Sequence, residues 1–416
     1  MDRYSAIRAS IDWEQPFPPE EYAARRARVR QALASQGFDA IYVTSPPDLC
    51  WLTGYDMSWF HLRCLTGLLV RAGDDRATMF DYVTHEAVAA ATPEIGDIVW
   101  FRESGEPSGT AGRTVEKDAA IIASHLSKSG LKGGRIAIQR MGFSPHASTL
   151  QTLEAQLDAS GMATGDGTVL VERLRAVKSP REMAVMWKAA EIADIGMAAA
   201  RDMIRPGTRE TDIEAAAVSA MMREGGGYPA LRTMIGSGPR SGTRHSPPSH
   251  RRLAEGDLVY VDFSGCLHRY HVNIVRTFSV GAPDPRIAHM LEKGDGSIAI
   301  LQQAARRKGA RLSDLQKAAD AYAVEQGLMP RAWFVGGYLM GLCIPPDWVG
   351  NYWVGPRFGM DDIPLEPGVV FNFENQFDPL PEWGINSGVA YIETLMMTEA
   401  GLEVMSRLPR TIIACP

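Results

Sequence analysis

The stretch Glu255-Gly-Asp-Leu-Val-Tyr-Val-Asp-Phe-Ser-Gly-Cys-Leu-His-Arg-Tyr-His-Val-Asn-Ile-Val-Arg-Thr277 decides the architecture. Leu258 to Phe263 is an apolar run rich in β-branched and aromatic residues, and Tyr270 to Val280 is a second. The polar break between them, around His268, predicts two strands of a hairpin. Asp262 lies inside the first run. A carboxylate there must be paired, ligated or functional, because burying it bare costs several kcal/mol. Two further acids share that setting: Glu374 in Val-Val-Phe-Asn-Phe-Glu-Asn and Glu393 in Val-Ala-Tyr-Ile-Glu-Thr-Leu-Met-Met. Three acids embedded in C-terminal strands ask for a common counter-charge.

Outward from this stretch the chain divides in two. Residues 39–44, 67–71, 77–80, 97–101 and 135–138 read as strands, with helical patterns at 18–38, 115–128 and 147–159 between them. Residues 1–165 are therefore expected to form an α/β domain and 166–416 a second, α+β domain. The second opens on a helix whose start is written in Ser179-Pro-Arg-Glu182, an N-cap, a proline at the first helical position and a capping-box glutamate. More helices are expected near 208–224, 285–308 and 312–326, and strands again over 369–405.

A chain of 416 residues suits two or three domains at about 150 residues each. It carries 43 Lys and Arg against 49 Asp and Glu, a net charge of −6, and 45% hydrophobic residues. With no long basic run it is not expected to bind nucleic acid. No apolar stretch approaches the ~20 residues of a membrane span, and the charged N-terminus lacks a signal-peptide pattern, so a cytoplasmic place is expected. The five cysteines are widely spaced and contain no C-x-x-C pair. Neither a zinc ribbon nor a disulfide framework is supported.

Lys178-Ser-Pro-Arg-Glu182, Asp262, Asn273, Arg276-Thr277 and Leu365-Glu-Pro-Gly-Val369, in this order, resemble the pita-bread family of methionine aminopeptidase, aminopeptidase P, prolidase and creatinase. The likeness runs over about residues 20–410. It implies a creatinase-like N-terminal α/β domain, a pita-bread catalytic domain and a homodimer. The family's metallopeptidases hold two divalent metals through Asp, Asp, His, Glu and Glu. The matching positions here are Asp262, Asn273, Tyr338, Glu374 and Glu393, so a neutral amide and a phenol replace a carboxylate and an imidazole. None of the residues after His289 is a histidine. A phenol with an ordinary pKa near 10 is a poor substitute for imidazole, and the expectation is a site without metal or other cofactor. Gly265 to His271, Tyr338 to Leu342, Pro345-Pro-Asp-Trp348 and Trp51-Leu-Thr-Gly-Tyr-Asp56 resemble the metal-independent creatinase and ectoine hydrolase-type members more closely.

That resemblance implies hydrolysis of a C–N bond in a small amidine- or guanidinium-type zwitterion. The substrate's own cation would neutralise the acids. His245, on the loop Gly236-Ser-Gly-Pro-Arg-Ser-Gly-Thr-Arg-His-Ser-Pro-Pro248, matches the family's loop histidine and would be the general acid/base. Glu374 and Glu393 would hold the cation in the reaction, and Asp262, Asn273, Tyr338, His271, His61 and Trp59 would line the substrate site. Arg63, Arg232, Arg240 and Arg244 are the candidates for a substrate carboxylate. The alternative is a degenerate dipeptidase or lyase with a single metal at Asp262, Glu374 and Glu393. A third reading is a binding protein without turnover.

Overall fold

The computed structural model describes residues 3–11, 14–57, 64–92, 94–101, 114–142, 144–355, 360–379 and 387–416. His61, Trp59 and Arg63 lie outside the described residues. Two compact units divide after Leu174.

In the first unit six strands, β1 (Ala40–Val43), β2 (Gly67–Arg71), β3 (Ala77–Asp81), β4 (Asp97–Trp100), β5 (Arg135–Ile138) and β6 (Ala163–Asp166), form one sheet in the order β4-β3-β2-β1-β5-β6. β1 runs parallel to β5, and β5 to β6, while β2 is antiparallel to both β1 and β3. Tyr42, Phe80, Ile122, Leu126 and Leu153 are fully buried in its core, as apolar strands and amphipathic helices require. The boundary corrects the expected 165. Residues 163–166 form the edge strand on β5 and the short helix Leu170–Arg175 follows, so the first unit runs on to Leu174.

The second unit is an α+β domain around a mostly antiparallel sheet. Its strands are β7 (Met234–Ser237), β8 (Leu258–Leu267), β9 (Tyr270–Val280), β10 (Ala332–Gly336), β11 (Val370–Phe377), β12 (Val389–Thr398), β13 (Gly401–Val404) and β14 (Ile413–Cys415). The main order is β10-β11-β12-β9-β8-β7, with β13 on β12 and β14 on β9. The expected hairpin is β8–β9, paired in unbroken register from Leu258↔Ser279 to Leu267↔Tyr270. The helix Pro180–Met203 begins with the expected capping box, Ser179 and Glu182 each bonding the other's backbone N–H.

Period-two alternation gives the sheet two faces. That helix covers the one carrying Phe263 and Gly265. A Cβ on Gly265 would come within 2.1 Å of Ala189 O and 2.7 Å of Ala193 N, so only glycine lets the helix backbone lie so close. The opposite face carries Asp262, Ser264 and Asn273 and is where the chemistry is found. No helix among the described residues is long and apolar enough to cross a membrane.

Candidate active site

Three strands aim polar side chains at one place. Asp262 on β8 and Asn273 on β9 share a face, and Asn273 Nδ2 donates to Asp262 Oδ1 at 2.9 Å. Tyr260 OH donates to the other oxygen at 2.8 Å. Across the sheet, β11 carries Asn372, Glu374 and Gln376 on alternate positions. Asn372 Nδ2 donates to Glu374 Oε1 at 3.0 Å and Gln376 Nε2 to Oε2 at 2.6 Å. Asn372 Nδ2 also reaches Asn273 Oδ1 at 3.3 Å, and Asn372 Oδ1 accepts the Tyr338 backbone N–H at 2.9 Å. The Tyr338 hydroxyl accepts from Trp348 Nε1 at 3.0 Å.

These partners are neutral donors. Burial pushes Asp262 up to about 6, against the pull of the Tyr260 and Asn273 hydrogen bonds. Glu374 is pushed up to about 7, first by burial and then by the Asp262 charge. No cation figures among the groups that act on either. Two desolvated carboxylates facing one another hold a proton between them unless a positive group enters. Burial and the charge of Glu374 hold the Tyr338 phenol well above its ordinary range, so it stays protonated, a hydrogen-bond donor rather than an anionic ligand.

Asp262 and Glu374 lie at a cavity of about 640 Å³ that His245, Tyr338, Gln376 and Ile392 also line. His245 is exposed, has a left-handed backbone (φ 64°), and packs edge-on to Trp333 with ring centroids 5.7 Å apart.

Two expectations need correcting. Glu393 does not face this cavity. Glu374 pairs with Ile392 and Phe373 with Glu393, so the residue that β12 presents beside Glu374 is Ile392. Glu393 points to the opposite face, where Arg276 Nη2 meets its carboxylate at 2.5 Å with both side chains fully buried. Its counter-charge is part of the fold. His271, in turn, does not line the cavity. It is buried with its ring 6.1 Å from that of Trp348, its Nε2 accepts the Ala230 N–H at 2.9 Å, and burial pushes it down to about 4. It is a neutral packing residue.

The structure also separates the arginines. Arg244 is consumed by Gln376 Oε1 at 3.2 Å, Phe377 O at 2.9 Å and the Asp378 carboxylate. Arg240 binds Pro247 O at 3.0 Å and lies 3.4 Å from Glu210. Arg232 lines the cavity, with Glu214 3.4 Å away. Sequence reasoning missed Asn372 and Gln376, although their spacing of two from Glu374 was the available signal. It also missed Tyr260, two residues from Asp262, and Trp333.

Residues 184–399 match the model of metallopeptidase family M24, and residues 25–177 that of the creatinase/prolidase N-terminal domain. The chain belongs to metallopeptidase family M24. It is thus a pita-bread hydrolase acting on a small C–N-bonded molecule or a peptide. Among similar M24 proteins is the ectoine hydrolase of Halomonas elongata, 25% identical over 95% of this chain and 98% of that one. A probable dipeptidase PepE of Mycobacterium tuberculosis is 28% identical over 96% and 98%. The crystal structure of dipeptidase PepE from Mycobacterium ulcerans matches with a TM-score of 0.79 and 24% identity, over 96% of this chain and 99% of that one, which supports the fold.

The donor set bears on the two metals that the family's metallopeptidases hold. Asn273 turns an N–H toward Asp262, the Tyr338 phenol is held protonated, and β12 offers Ile392 in place of a ligand. Among the described residues no group of three or more His, Cys, Asp and Glu is placed to hold a metal ion. The residues present do not fit a pair of dications.

Proposed function

We propose that this M24 protein hydrolyses a C–N bond of a small amidine- or guanidinium-type zwitterion, of the ectoine or creatine kind, without a metal. The observation that supports this reading is the pair of buried carboxylates, Asp262 and Glu374, hydrogen-bonded only by neutral donors. A planar, multi-donor cation suits two carboxylates, because its N–H groups pair with them in two-point geometry. The substrate cation docks on Asp262 and Glu374. His245, on the same cavity, takes a proton from water as its oxygen bonds to the amidine carbon. The C–N bond then breaks, and the proton returns to the departing nitrogen. Asn273, Tyr338 and Gln376 hold the acids and the substrate in place, and of the described candidate arginines Arg232, beside Glu214, is the one on the cavity that could turn to a substrate carboxylate.

Some of the relatives favour a second reading. Probable dipeptidases and Xaa-Pro dipeptidases are among them, and a dipeptidase working with one metal at Asp262 and Glu374 is the form that reading takes here. A screen of the chelated, metal-free protein against ectoine, hydroxyectoine, creatine and a dipeptide panel, with products detected by mass, tests both. Turnover of an amidine or guanidine supports the first. Turnover restricted to dipeptides, and only after metal is added back, supports the second.

The raised carboxyls set the pH dependence. An acid raised to about 6 or 7 is neutral below that range and charged above it. Affinity for a permanently charged amidinium therefore rises as pH increases through this window, and proton release accompanies binding below it. Calorimetry of amidinium binding in two buffers of different ionisation enthalpy checks this. Affinity that stays flat across the window contradicts it.

A further inference from the structure

We infer that the cavity contains a second subsite, an aromatic wall that takes a flat apolar body attached to the substrate's cation. This rests on the proposed reading of Asp262 and Glu374 as the seat of that cation, and it narrows the substrate class.

The wall begins at an irregularity in β10. Ala332 pairs with Phe377, and Phe334 pairs with the very next residue, Gln376. Two steps along β10 thus answer one along β11, and Trp333 is the extra residue. Phe334, opposite Gln376, shares the face of Gln376 and Glu374. Regular alternation would send Trp333 to the other side. The bulge re-aims it, and both Trp333 and Phe334 line the cavity. Bulges recur next to active sites for this purpose. Trp333 keeps 47% of its surface exposed, which for the largest apolar side chain calls for an explanation.

From Trp333 the wall is continuous. Its ring meets Phe334 at 6.5 Å, Phe334 meets Trp353 at 6.2 Å, and Trp353 meets Tyr338 at 5.3 Å, all edge to face. Trp353 also lines the cavity. The wall therefore runs from an exposed ring at the rim to the buried phenol beside the acids. Gln376 lies two residues from Glu374 along β11, so Phe334 stands about 7 Å along the sheet from the carboxylate. A bare amidinium on the acids does not reach that far. A flat ring or other unsaturated body carried on it does, and edge and face contacts with aromatic rings are what it would find. The cavity volume agrees. About 640 Å³ falls within the range of sites that take ligands larger than a small ion.

The experiment compares two cations with the same planar head, acetamidinium and benzamidinium, titrated calorimetrically into the metal-free full chain. Benzamidinium is expected to bind about tenfold or more tightly than acetamidinium. In Trp333→Ala and in the milder Phe334→Leu that advantage shrinks severalfold while acetamidinium affinity holds. Equal affinities in the unsubstituted protein, or an advantage that persists in both variants, overturn the aromatic subsite and leave the acids' role intact. If neither cation binds, or if Glu374→Gln leaves both affinities unchanged, the reading of the acids fails and the subsite with it.

Discussion

Replacing His245 with asparagine is expected to lower kcat by about 10²- to 10⁴-fold, the contribution of a positioned general acid/base, and to leave substrate binding within a few-fold of the unsubstituted protein. Asparagine is the informative choice because His245 sits at φ 64°. Asparagine tolerates the left-handed region, whereas alanine would mix backbone strain into the result. The split between kcat and binding carries the information. In the proposed reading the cation is held by Asp262 and Glu374, on strands, while His245 lines the same cavity from the loop between β7 and β8. Glu374→Gln should show the opposite pattern, losing binding of the cation first. Single-turnover rates and direct titration of both variants separate the two roles. A His245→Asn enzyme that turns over at close to the normal rate removes the histidine from the reaction.

The second large effect is on stability. Arg276 and Glu393 are both fully buried and bonded at 2.5 Å, and Arg276 also binds Ser406 Oγ at 3.1 Å and Leu408 O at 3.1 Å. Removing Glu393 strands the Arg276 charge in a low-dielectric interior, and removing Arg276 leaves Glu393 only the more distant Arg410, at 3.9 Å. Arg276→Met or Glu393→Gln is expected to destabilise the second unit by about 3–5 kcal/mol. Replacing both with apolar residues should recover much of the loss, since a buried pair gains little net energy over good packing. The shift in the denaturant midpoint of that unit's transition, for each single variant and the double, measures this. The activity of the Glu393→Gln molecules that remain folded should be close to normal. If Glu393→Gln melts normally but has lost turnover, the carboxylate belongs to the reaction after all.

That pair also shows where sequence reading stops. Asp262, Glu374 and Glu393 all stand out as acids in apolar runs, and the β8–β9 hairpin and the Ser179 cap were legible from alternation and local chemistry alone. Which face each acid takes was not. A shift of one residue in register moves a side chain to the other side of a sheet. The register of β12 is set by pairing with β11, across a long connection, and with β9, where Ile392 meets the far-off Val275. Ile392, next to the acid that caught attention, is the residue that faces the site. The bulge at Trp333 is invisible for the same reason, since it exists only relative to β11. Strand β6, Ala-Thr-Gly-Asp, has no apolar run and is recruited as an edge by β5, which moved the domain boundary. By contrast Asn372 and Gln376 were readable. Once Glu374 is placed on a strand, residues two away must flank it.

The central claim is that Asp262 and Glu374 are neutralised by the substrate's cation. The most direct test measures the steady-state rate on the best amidine or guanidine substrate while the metal content per protomer is varied from fully chelated to saturated and determined by elemental analysis. The claim predicts a rate that does not depend on metal content. A rate that is absent in the chelated protein and grows in proportion to bound metal contradicts it.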